Sequence, residues 1–234
     1  MSKRSDHEIP EEVKSELRKA GLSQLKETPT LDYYELELFD WYVKETETVL
    51  KDMLSSELVF IKEQLHSNLD DINDSGMVVV EYYLKRVRYS HVIYMISLLE
   101  SFLDRACNTL TTVVGEQDIP FTTKELKGDQ WSVRRKFLER YGKFTIPDQI
   151  CYEIKALTIL RNNLAHDNGA VCELNAEEKK MLANFAGVKL AGYKVEIEAD
   201  YIRSAFQAIK SLVTFVEEEI KKIVDKAIQS RPAT

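Results

Sequence analysis

With 234 residues, 44% of them hydrophobic and 30% charged, the chain has material for one large domain or a domain with an extra arm, with a packed core and a well-solvated surface. Its formal net charge of −7 argues against a protein that coats nucleic acid non-specifically, while leaving room for a site that grips one or two phosphates. Only 8 glycines and 5 prolines break the chain, which favours long helices over a many-turn β fold, and no apolar run approaches the roughly 18 residues of a membrane span.

Residues 1–29 are polar and charged and read as a loose arm, with one short helix expected in Pro10 to Ala20. They lack the apolar core of a signal peptide. The cysteines, Cys107, Cys151 and Cys172, are widely spaced and fit ordinary thiols in a reducing compartment rather than a disulfide framework or a zinc site. The expectation is a cytoplasmic protein with no metal or other cofactor.

The main domain is expected over residues 30–230, with helix from 31 to 69 as an N-terminal extension. There Leu36, Phe39 and Val43, then Val49 and Met53, then Leu58, Ile61 and Leu65 recur at helical spacing. Asp70 to Gly76 is a dense turn signal, although Asp70, Asp71 and Asp74 do not make an EF-hand loop. The longest predicted helix, Val78 to Val113, carries Leu84, Val87, His91, Met95, Leu98, Phe102, Ala106, Leu110 and Val113 as one stripe. Ile93, Ile96, Leu99 and Leu103 widen it, so this helix belongs in the middle of a bundle.

Thr122 and Glu125 have capping-box spacing, and a short helix is expected from Trp131 to Tyr141. The stretch from Thr122 to Lys143 holds seven cations against three carboxylates in an otherwise acidic chain. Arg134, Arg135 and Lys136 in it are candidates to guide an RNA strand, with Trp131 or Tyr141 as a stacking surface; a solvated helix face is the plainer reading. Pro147 and Asp148 fit the start of the next helix, whose apolar face runs through Ile150, Ile154, Leu157, Leu160 and Leu164 and stops near Gly169. Asn175 is placed to cap a further short helix. Val188–Leu190 and Tyr193–Ile197 alternate as a small hairpin around Ala191 and Gly192, and a final helix is expected from Tyr201 to Ile228. The fold class is all-α, a helical bundle with long central helices and a minor β-hairpin.

The chemistry concentrates at Arg161-Asn162-Asn163-Leu164-Ala165-His166, at the end of an apolar helix. Metal-free cleavage of an RNA phosphodiester needs a base for the 2′-OH, an acid for the departing 5′-oxygen and a cation for the phosphoryl oxygens. Arg161 can supply the cation, with a planar fork suited to two phosphate oxygens. His166 can serve as acid or base near neutral pH. Asn162 can donate to a phosphate oxygen or orient the histidine. On a helix Asn162 and His166 lie roughly 40° apart, on one face, whereas Arg161 and His166 lie roughly 140° apart. A single histidine cannot be acid and base in one step, and a two-fold dimer would bring a second His166 to the same cleft.

Arginine, a polar residue, three more residues and histidine is the pattern of HEPN-domain endoribonucleases, which this chain resembles. Leu99-Glu100-Ser101-Phe102-Leu103, in the long helix ahead of the motif, is similar to a string found there in the same family. The resemblance spans roughly His91 to Phe215. It implies a HEPN-like bundle and a homodimer in which paired motifs face each other, cleaving RNA without metal to leave a 2′,3′-cyclic phosphate. A role as a toxin or in antiviral defence, with an antitoxin or other regulatory protein as partner, is implied by the family alone. Glu100 and Asn163 are the candidates to support the catalytic groups from behind, although Glu100 could equally pair with Arg105 or another cation. The chain departs from those HEPN toxins that carry His-x-Tyr, since His166-Asp167-Asn168 has no tyrosine.

The alternatives are a non-catalytic HEPN module that binds RNA or a nucleotide in the same cleft, and a helical dimerisation scaffold. No Gly-rich phosphate loop, zinc-binding helix motif or serine nucleophile elbow is present in the sequence.

Overall fold

A computed structural model describes residues 33–66, 75–115, 129–190 and 192–229, together with Gly21 and Ile119. Among the described residues are six α-helices: α1 (Tyr33–His66), α2 (Ser75–Val114), α3 (Gln130–Gly142), α4 (Asp148–His166), α5 (Ala176–Leu182) and α6 (Ala199–Gln229). A short 3-10 turn, Val171–Glu173, follows α4, and two strands, β1 (Val188–Lys189) and β2 (Glu196–Ile197), pair antiparallel with Val188 opposite Ile197. The chain is therefore all-α with one small hairpin, and none of its described helices is long and apolar enough to cross a membrane. The helix expected near residues 10–20 and the Thr122/Glu125 capping box lie outside the described residues, and so does the Asp70–Gly76 turn as far as Asp74, whereas its Ser75 and Gly76 open α2.

The residues group into two compact units, with the division falling inside α2 and α6. The unit of Asp32–Ser101 and Ile146–Val213 carries the Arg161–His166 motif. Its core is built from the predicted helical faces: Leu36 and Phe39 of α1, Met95 and Leu99 of α2, Ile154 and Leu160 of α4, and Ile202, Phe206 and Ile209 of α6 are all buried. Phe39 meets Phe206 with ring centroids 5.6 Å apart. A buried ion pair adds direction to this packing. Arg88 of α2 donates to both carboxylate oxygens of Glu47 at 2.7 Å and to the Ile197 carbonyl at 3.1 Å, so one guanidinium links α1, α2 and the hairpin.

The other unit holds Phe102–Thr145 and the residues after Val213. Phe102, Leu103, Ala106 and Leu110 of α2, Trp131, Phe137 and Leu138 of α3, and Val216, Ile220 and Val224 of α6 are buried there. Asp129 caps α3 by accepting from the Ser132 amide at 2.9 Å, and the left-handed Lys143 closes it.

In the motif-bearing unit, Asn175 forms a full capping box with Glu178 at the start of α5. Two details add to the sequence reading. Val49, Met53 and Leu58 of α1 keep helical spacing but are exposed, because apolar periodicity marks a face without saying what covers it. The hairpin is shorter than expected, since the second arm turns at Lys194 to pair with Ala170, just beyond the motif.

Candidate functional site

The sequence of α4 determines which motif side chains reach solvent. Ile154, Leu157, Leu160 and Leu164 are buried, and anchoring that face turns Asn162, Ala165 and His166 outward. Arg161 lies on the flank and is half-buried, donating from Nη1 to Asn162 Oδ1 at 3.0 Å. Its Nε is buried and has no hydrogen-bond partner among the described residues. The helix continues unbroken to His166, its last residue, so the three groups occupy the final turn and a half.

Asn163 faces the opposite way and is 3% exposed. Its main-chain carbonyl accepts from the Asp167 and Gly169 amides, both at 3.0 Å, and its Nδ2 donates to the Ala170 carbonyl at 2.9 Å. Asn163 therefore closes the helix. Its hydrogen bonds fix the chain that leaves the motif, and its Oδ1 is buried with no hydrogen-bond partner among the described residues.

That chain reverses through two left-handed residues, Asn168 (φ 52°) and Gly169 (φ 75°). Glycine is required at 169 for a second reason: a Cβ there would lie 2.7 Å from the Tyr89 hydroxyl. The arm of the hairpin then holds the loop. Val195 donates to the Gly169 carbonyl at 2.8 Å, Val171 donates to Tyr193 at 3.0 Å, and Tyr89 donates to the Val195 carbonyl. Burial pushes the Tyr89 phenol above its ordinary value, partly offset by Arg86, so the hydroxyl keeps the proton it donates. Arg86 donates to the Asn168 side chain and Lys194 Nζ donates to its carbonyl at 2.8 Å. These two cations converge on Asn168, two residues beyond His166. Sequence reasoning missed both, because Arg86 is a surface position of a long helix and Lys194 an outward hairpin residue, and only the tertiary fold brings them together.

The remaining predicted residues are placed as follows. Glu100 is half-buried on α2 and makes no hydrogen bond or ion pair with Arg161 or His166 among the described residues. Arg134 is not available to an RNA strand. It is 8% exposed, holds both oxygens of Asp104 at 2.7 Å and also bonds Gln130. Arg135 is half-buried with Nε on Glu139 at 3.0 Å, which leaves Lys136 as the exposed member of the trio. Trp131 is buried in the core and offers no stacking face, and Tyr141 packs on Phe137 at 4.9 Å. Registering α3 on its apolar residues turns Trp131 and Arg134, three positions apart, to the same inner face.

No group of three or more His, Cys, Asp or Glu among the described residues could hold a metal ion. Cys107 is a core thiol that burial pushes up to about 12, and Cys151 is buried as well, so neither is a ready nucleophile. No family model matches the chain, and neither the curated proteins nor the solved structures contain a match.

Proposed function

We propose that the chain is a HEPN-type endoribonuclease that cleaves RNA through its 2′-OH without a metal, at a site completed by a second copy. One observation carries the reading: Arg161, Asn162 and His166 end a helix whose other side is buried, while the adjacent Asn163 does the structural closing. Asn162 and His166 are exposed, and the Arg161 Nε has a hydrogen bond still to give. A helix terminus that needed only to be capped has no use for these three groups.

In this mechanism Arg161 holds the scissile phosphate with its fork, and Asn162, bonded to it, fixes the direction of that fork. His166 of one copy takes the 2′-OH proton while the second copy's histidine protonates the 5′-oxygen, leaving a 2′,3′-cyclic phosphate. Arg86 and Lys194 add positive potential beside the loop. An intracellular setting, a part in growth arrest or antiviral defence, and an antitoxin-like regulator complete the proposal.

The test is cleavage of a labelled structured RNA in excess EDTA by wild type and His166→Ala. Cleavage by wild type alone, with cyclic phosphate ends, is the expected result. Equal cleavage by both assigns the activity to a contaminant, and binding without cleavage moves the reading to a non-catalytic RNA-binding module.

A further inference from the structure

A groove of about 820 Å³ opens between α1 and α2 within the motif-bearing unit. Its walls are Phe39, Trp41, Tyr42, Ile93 and Tyr94, with His91 among them. The volume is that of a small-molecule site, and the lining is mostly apolar, with four aromatic rings and, besides His91, the polar side chains of Glu35, Ser90 and Ser97. Trp41 is 58% exposed at the rim, whereas His91 is 1% exposed.

The hydrogen bonding of His91 determines what such a molecule must carry. The Thr46 hydroxyl is 2.8 Å from the Tyr42 carbonyl and 3.1 Å from that of Val43, so its single hydrogen is given to the backbone of its own helix. The contact between Thr46 Oγ1 and His91 Nε2, at 3.3 Å, must then be donated by the imidazole. Burial lowers the His91 pKa, against a smaller upward pull from Glu47, and Arg88 lowers it further, so the ring is neutral at neutral pH. A neutral ring with its proton on Nε2 leaves Nδ1 as a bare acceptor. That atom is buried and has no hydrogen-bond partner among the described residues. A buried acceptor of this kind is satisfied by a water or by a group on a bound molecule, and this one belongs to a residue that lines the groove.

We infer that the groove is a binding site for a planar aromatic small molecule bearing an N–H or O–H group, which stacks among Trp41, Tyr42 and Tyr94 and donates to His91 Nδ1. Because His91 Nδ1 is buried, a donor reaches it only by displacing a neighbouring side chain, and the half-exposed Tyr42 ring stands edge-on to His91 at a centroid distance of 5.4 Å. The site stands apart from the Arg161–His166 motif in sequence and chemistry, and does not depend on the nuclease reading.

Indole and benzofuran, which share shape but differ in the N–H, are the probes. Titrated against the full-length protein, indole is expected to bind saturably and about tenfold tighter than benzofuran. The ¹⁵N resonance of His91 Nδ1 is expected to move upfield with indole and to stay put with benzofuran, a reading that needs no variant. His91→Phe removes the preference for indole, and Trp41→Ala, at an exposed position, weakens both probes. Equal affinities with an unmoved Nδ1 overturn the inference. Absence of saturable binding by either probe also overturns it and leaves the groove to a helix from a protein partner.

Discussion

Replacing Gly169 with alanine tests the loop that holds the motif in place. An alanine at φ 75° adopts left-handed backbone, costing about 1 kcal/mol. Its Cβ falls 2.7 Å from the Tyr89 hydroxyl and 3.1 Å from two ring carbons, so the ring must move and its bond to the Val195 carbonyl is lost. That bond contributes about 1 kcal/mol, which puts Gly169→Ala near 2 kcal/mol in all. Tyr89→Phe removes the same bond and should cost about 1 kcal/mol. In the Tyr89→Phe background the hydroxyl is gone, and Gly169→Ala retains mainly the backbone term. The double variant is therefore expected to lose about 2 kcal/mol rather than about 3, a coupling of about 1 kcal/mol. Urea denaturation of the four proteins, with unchanged slopes, measures this directly. Additivity to within about 0.3 kcal/mol would refute the proposed contact between loop and tyrosine.

Three further outcomes follow from the same geometry. Glu47→Ala leaves the largely buried Arg88 guanidinium with only its bond to the Ile197 carbonyl, and about 3 kcal/mol of stability should be lost in chemical denaturation; a loss below about 1 kcal/mol would mean that the pair is solvated. Asn163→Ala should destabilise the fold by about 1–3 kcal/mol, whereas Asn162→Ala should leave the melting curve in place and reduce RNA cleavage. The reverse pattern would contradict the division of labour between the two asparagines. The His91 pKa lies below its ordinary 6.5 because burial disfavours the imidazolium. As pH falls below 6.5 the unfolded chain takes up a proton that the native state refuses, so stability present above that value is lost on acidification. The stability profiles of wild type and His91→Phe should diverge only below that pH, and parallel profiles would count against a buried neutral histidine.

Much of this fold is legible from spacing and caps. Stripes at three and four residues locate α2, α4 and α6, and Asn175 as a cap announces α5. Burial is less legible, because it depends on a neighbour. Val49 and Met53 have the same spacing as Phe39 and Val43, yet only the latter pair has core packed against it. Charge misleads in the same way. Arg134 and Lys136 are equal members of a basic run until the register of α3 turns Arg134 toward Asp104 and leaves Lys136 in solvent. At the motif, the apolar face of α4 already implied that Asn162 and His166 share a side. That Asn163 would close the helix, and that Arg86 and Lys194 would gather at Asn168, required the long-range pairing of the hairpin arm with the loop.

The most direct test of the central claim is a mixing experiment. Wild-type protein at fixed concentration is allowed to exchange subunits with a growing excess of His166→Ala, and cleavage of a labelled RNA is followed in EDTA. If two histidines share one composite site, the variant draws wild-type chains into inactive pairs, and cleavage falls as the excess grows. Cleavage that stays constant as the variant is added would contradict the shared site, and no cleavage by the wild type alone would contradict the nuclease itself.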